Sequence, residues 1–147
     1  MSAMSNYLEN VLIDHIFRAT SYTMPTNIYI ALCTTTPVAG NTGSTISEPS
    51  GGSYARMPYN PSSSSNWEAT QGGVSGASSG SSGLTSNHTS IAFPAATGVW
   101  GTITAVAICD ALTSGNLLFF GTLASSKPIN SGDTFTFNAN QLSVTFS

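Results

Sequence analysis

The run Thr102-Ile103-Thr104-Ala105-Val106-Ala107-Ile108-Cys109 constrains this chain more than any other stretch. Its Thr, Ile and Val side chains are β-branched and favour the extended state, and no outward positions carry the Leu, Glu or Lys of a helix. Counted by alternation, Ile103, Ala105, Ala107 and Cys109 point one way and Thr104, Val106 and Ile108 the other. Both sets are apolar or small, so the run is expected inside a sheet and buried on both faces. Gly98 and Gly101 bracket Val99 and Trp100 just before it. Trp100 reads as a core plug or lid over the sheet, with ligand stacking as the alternative.

A second run of the same kind spans residues 27–33, with Ile28, Ile30 and Leu32 on one face and Tyr29, Ala31 and Cys33 on the other. It is the expected central partner of the first. Residues 1–24 read as a helix and arm. Asn6 is the expected cap, with Glu9 completing a capping box, and Leu8, Val11, Leu12, His15 and Ile16 form an apolar stripe. His15 reads as a packed histidine. This helix is expected to pack on the sheet or on a neighbouring subunit, and Pro25 bars its continuation.

Farther along, residues 45–48 read as a short strand and residues 54–59 as an edge strand, because Pro58 cannot donate to a ladder. Arg56 within it suits an ion pair or a carbonyl partner, or an intersubunit contact. Residues 67–70 read as another short strand. Residues 72–83 are almost all Gly, Ser and Ala, a mobile loop or extended insertion that cannot build a core. Asn87-His88-Thr89 matches a glycosylation sequon by chance. Residues 91–94 form a strand closed by Pro94, and residues 110–116 a hairpin connection. Residues 117–123 return antiparallel to the central run, and residues 127–133 form a turn-rich link. Residues 134–137 and 141–146 alternate, with Phe135, Phe137, Leu142, Val144 and Phe146 inward. A strand that close to the end must be paired, at home or in a neighbour. About seven or eight strands and one N-terminal α-helix make a mainly β chain, an antiparallel β-sandwich in a single domain over residues 1–147.

Charged residues are 6% of the 147, against roughly 25% in an ordinary domain. Arg18, Arg56 and Lys127 are the only basic residues and cannot make a phosphate-binding stripe, so no nucleic acid is expected. A neutral surface rich in Ser, Thr, Asn and Gly suits a subunit that lives assembled. No run reaches the length of a membrane span, and residues 1–24 lack a signal-peptide pattern, so synthesis in a cytoplasm is expected. Cys33 and Cys109 read as buried thiols, and whether they pair is open. No metal site, cofactor or catalytic set is expected. His15 and His88 have no nucleophile partner, and Asp110 and Asp133 sit beside turns, where Asp bonds its own backbone.

Several blocks then occur in order: Pro25-Thr26-Asn27-Ile28-Tyr29-Ile30-Ala31-Leu32, Gly51-Gly52-Ser53-Tyr54-Ala55-Arg56, Ile91-Ala92-Phe93-Pro94 and Trp100-Gly101-Thr102-Ile103-Thr104. Asp110-Ala111, Gly115-Asn116-Leu117-Leu118, Gly121 and Gly132-Asp133-Thr134 follow. From about Leu8 to Phe146 the succession resembles a family of small virion proteins of tailed bacteriophages, often labelled tail-fibre proteins. The stretch 72–83 is longer than that family's pattern. The resemblance implies a non-enzymatic virion component, made in the host cytoplasm. Lacking a shaft repeat or heptads, the chain reads as a capsid decoration or cement protein on the outer shell. Its expected partners are the major capsid protein and copies of itself, for which a trimer would fit. Candidate intersubunit contacts are Leu8, Val11, Leu12, Ile16, Arg56, Leu142, Val144 and Phe146. The alternative is a tail-fibre, carbohydrate-binding module, with Tyr54, Tyr59, Trp67 and Trp100 as the ligand aromatics.

Overall fold

The computed structural model describes residues 3–61, 65–69 and 83–146. The order is β1 (Ala3–Met4), α1 (Asn6–Phe17), β2 (Tyr29–Cys33), β3 (Met57–Pro58), β4 (Leu84–Ser86), β5 (Ile91–Ala92), β6 (Gly101–Cys109), β7 (Leu117–Ile129), β8 (Thr136–Phe137) and β9 (Ser143–Thr145). Five strands form one antiparallel sheet in the order β1-β7-β6-β2-β3, and β4-β9 and β5-β8 form two small antiparallel pairs. The chain is mainly β with one helix, sandwich-like although its second layer is two small pairs rather than one sheet. The expected 72–83 loop lies outside the described residues apart from Gly83.

β2 and β6 are neighbours, as their two-faced apolarity requires, with Ile30 opposite Ile108 and Leu32 opposite Val106. Their large side chains face Ile91, Phe93, Phe135, Phe137, Leu142 and Val144 of the two small pairs and their flanks, forming the main core. Ala31, Cys33, Ala105, Ala107 and Cys109 face the other way, where Ile46 and Leu117 cover them. Small side chains on that face let a loop, rather than a second sheet, lie against it.

Alternation fails at one point. Ile103 packs in the main core with Val106 and Ile108, not with Ala105 and Cys109. Between the pairs Ile103↔Lys127 and Ala105↔Thr122, β6 advances by two residues while β7 advances by five. Such a bulge changes the face that side chains present. β7 is also longer than expected. Lys127, Pro128 and Ile129 pair with Ile103, Thr102 and Gly101, leaving only the turn where Asp133 bonds back to Asn130. Pro128 is tolerated because β7 has a partner on one side only at that end.

The helix is capped by Ser5 rather than Asn6. The Ser5 hydroxyl accepts from Leu8 N at 3.2 Å and donates to the Leu117 carbonyl, while its backbone N–H reaches Leu118 O at 3.0 Å. Tertiary bonding to the start of β7 therefore chose the cap. Residues 45–48 are not a strand: Thr45 closes a turn with Thr42, and Ser47 O accepts from Thr34 N at 2.8 Å. The edge strand around Pro58 shortens to β3, and Trp67 makes a single bridge to Asn87 in place of a strand.

Candidate interaction surface

Arg56 is only 4% exposed and lies at the centre of the densest polar cluster. Its Nε donates to both Glu48 carboxylate oxygens at 3.1 Å, and its other nitrogens donate to Glu48 Oε2 at 2.6 Å, Ala111 O at 2.8 Å, Ser114 O at 2.9 Å and Gly43 O at 2.5 Å. Tyr54 donates to Glu48 Oε1 at 2.7 Å and accepts from Leu32 N at 2.9 Å. Gly43 comes so close to residue 114 that a Cβ there would lie 1.9 Å from the Ser114 carbonyl oxygen. Burial works to lower the Arg56 pKa, but the hydrogen bonds to Glu48 hold it above its ordinary value. Burial, then the Glu48 charge, raises that of Tyr54. Every guanidinium N–H is directed into the chain's own loops, so Arg56 is an internal clamp with nothing left for a neighbouring subunit.

The four candidate ligand aromatics separate. Trp100 is 3% exposed, its indole N–H donates to Gly52 O at 2.7 Å, and it meets Tyr54 edge-to-face at 5.3 Å. It is the core plug. Tyr59 is buried, donating to Asn66 O and accepting from Thr89 N. Tyr54 is half-buried in the clamp. Tyr54 also lines an open cavity, about 460 Å³, with Glu48, Arg56 and Ser114. Trp67 lines another, about 240 Å³, together with Ile28, Leu118, Phe119, Val144 and Phe146, where Thr85 is the one polar residue among those described. The Trp67 N–H is already committed to Tyr59 O at 3.1 Å. A sugar needs convergent polar groups, and this lining suits an apolar guest instead.

Among the candidate intersubunit residues, Leu8, Leu142 and Val144 are buried in the chain's own core, and Val11 and Leu12 pack against it half-buried. The terminal segment is paired at home: β9 lies antiparallel to β4, with Val144 opposite Thr85. Phe146 keeps about half its surface exposed, its ring 5.2 Å from Phe119. Ile16, however, is 66% exposed and stands with Ile13 and Phe17, 53% and 79% exposed, on the side of α1 away from the sheet. Met24 is also exposed. Ile13 and Phe17 were legible in the sequence by their three- and four-residue spacing to Ile16 and Ile13. His15 is exposed rather than packed; its Nδ1 accepts from Tyr22 N at 3.2 Å beyond the helix end.

A family model described as podophage GP4 fiber I protein gp80 matches residues 3–145. The chain belongs to the podophage GP4 fiber I protein family. The match runs from the first residue of β1 to the last of β9. The family's description names a phage fibre protein, which gives the chain a structural role in a phage particle. No curated protein matches it.

In this fiber I family member the two cysteines, His88 and Asn87 are held within the fold or paired. Cys33 lies opposite Ala105 and Cys109 opposite Tyr29, four positions apart, or roughly 13 Å along the strands. That exceeds the ~7 Å Cα limit for a disulfide, and both are free. Burial pushes their thiols up to about 12 and about 11, so they stay protonated at neutral pH. His88 Nδ1 meets Glu68 Oε1 at 2.5 Å. Asn87 of the sequon is fully buried; its amide donates to Thr89 O and Asn138 O, and its oxygen accepts from Leu142 N. No glycan fits there. Among the described residues no group of three or more His, Cys, Asp and Glu could hold a metal ion, and no helix is long and apolar enough to cross a membrane.

Proposed function

We propose that this chain is a non-enzymatic structural subunit of a phage fibre, acting through apolar contacts with copies of itself and with the virion. The observation that carries the reading is the fiber I family match over residues 3–145. Two features of the fold support it. Several reactive groups are taken up by the fold itself, as at Cys33, Cys109 and the Arg56–Glu48 pair. The exposed apolar residues Ile13, Ile16 and Phe17 instead offer surface for protein contact.

A second reading, a decoration or cement protein bridging capsid subunits, is favoured by the architecture. The described residues form one sandwich-like body with a 12-residue helix, and no extended shaft is found among them. Repeated weak contacts would then sum across a shell. Copy number in purified particles, by quantitative mass spectrometry against the major capsid protein, separates the two. A handful of copies supports the fibre subunit. A count of the same order as the shell subunit refutes it and supports cement.

A further inference from the structure

The register of β2 against β6 sets Tyr29 opposite Cys109, so the residues before Tyr29 approach Asp110, the first residue after β6. The start of α1 and the connection from α1 to β2 reach the same corner. There Tyr7, Tyr22, Met24, Pro25, Asn27 and Asp110 line a cavity of about 330 Å³, within the ~300–1,000 Å³ of small-molecule sites. We propose that this cavity binds a neutral pyranose ring, free or as one unit of a glycan. The proposal goes beyond the structural role and does not rest on it.

The polar groups of the cavity are held in place but not used up by the chain. Asn116 N and Nδ2 donate to the two Asp110 carboxylate oxygens at 2.7 Å each, which fixes that side chain. A carboxylate has about four acceptor sites, so capacity remains for sugar hydroxyls, and such charge-assisted bonds are the strong ones. Ala19, at φ 54°, turns the chain after α1, and Tyr22 N donates to His15 Nδ1 at 3.2 Å, holding the connection against the helix. Tyr7 and Tyr22 are half-buried, yet neither hydroxyl has a hydrogen-bond partner among the described residues. Burial first, then the Tyr7 and Asp110 charges, raise the Tyr22 phenol above its ordinary value. It stays a neutral hydroxyl that both donates and accepts. The Asn27 amide, which donates to Thr26 Oγ1 at 3.4 Å, adds a carbonyl acceptor and a second N–H.

This set selects among ligands. Sugar hydroxyls donate and accept, matching the phenols, the amide and the carboxylate, while ring C–H groups pack on the tyrosines, Met24 and Pro25. An apolar guest or a quaternary ammonium would leave the phenols and Asn27 without partners. An anionic sugar would meet the Asp110 charge with no cation to offset it, since the chain's three basic residues, Arg18, Arg56 and Lys127, lie outside the lining. Neither Tyr7 nor Tyr22 stands out in the sequence, because only the fold brings them to Asp110.

The test is saturation-transfer NMR on the full chain with methyl glucoside, methyl galactoside and methyl N-acetylglucosaminide, against glucuronate and choline as charged controls. The expected result is binding of at least one neutral glycoside with Kd on the order of 1 mM, as suits a ligand of few atoms. Tyr7→Phe and Tyr22→Phe should each raise that Kd about threefold or more, the effect of one lost hydrogen bond. Melting temperatures should stay unchanged, because neither hydroxyl bonds within the chain. Absence of binding by every neutral glycoside, binding that either variant leaves unchanged, or preference for glucuronate or choline overturns the proposal. Copy number in particles is read separately, so failure of the sugar site leaves the structural role to its own measurement.

Discussion

Replacing Arg56 by Met tests the clamp. The substitution keeps most of the side-chain volume but removes six hydrogen bonds. It strands a Glu48 carboxylate whose side chain is 19% exposed, together with the buried Gly43 carbonyl. Removing one partner of a buried ion pair costs about 3–5 kcal/mol, because the other charge stays desolvated. Glu48→Gln is milder, about 2 kcal/mol, since Arg56 keeps its three carbonyl partners and hydrogen bonds to charged groups contribute about 1.5–3 kcal/mol each. The double variant strands no charge, so its cost should fall below the sum of the singles by about 1–3 kcal/mol. Urea unfolding of the four proteins gives the cycle directly. Thermal melts should follow, with Arg56→Met lowering Tm by about 10 °C at about 2–4 °C per kcal/mol. A cost under about 1 kcal/mol for Arg56→Met, or additive singles, refutes the clamp as an energetic unit.

Alkali should destabilise the fold through its thiols. Cys33 and Cys109 have folded pKa values raised from 9.0 to about 12 and about 11. Their contribution is full below pH 9 and is lost as pH rises through those values, at about 1.4 kcal/mol per group per pH unit. Chemical unfolding at pH 8 and pH 10.5 measures the loss, and Cys109→Ala should flatten it. Ala19→Gly should stabilise the chain by about 0.5–1 kcal/mol, because Ala19 holds φ 54° and glycine carries no Cβ penalty there; denaturant midpoints check it. Asn87→Ala should cost about 2–4 kcal/mol, since it strands Leu142 N and two carbonyls at the base of β4 and β9. Faster amide exchange at Phe146 N, which bonds Gly83 O at the far end of that pair, would report the loss locally.

The β class and the central pair were determined by the sequence alone. Ile, Leu, Val, Ala and Cys between them filled both faces of residues 27–33 and 102–109, and only a strand inside a sheet buries both faces. The helix was equally legible from Leu8, Val11 and Leu12, whose spacing matches one helical face. Tertiary structure decided what local pattern does not encode. The irregularity at Thr104, where the β6–β7 register shifts, turned Ile103 to the main core, because register is set by pairing rather than by alternation. Ser5 capped the helix because its hydroxyl could also reach β7. Trp100 read as a core plug and Arg56 as an ion-pair or carbonyl partner, and the folded chain alone decided which distant segments supply their partners, Gly52 for Trp100 and Glu48, Gly43, Ala111 and Ser114 for Arg56. The same holds for the candidate surface. Periodicity placed Ile16 on an apolar stripe, but only packing showed that the inner stripe belongs to this chain's core while Ile13, Ile16 and Phe17 face outward. Burial is a property of the folded neighbours, and a single residue's chemistry does not carry it.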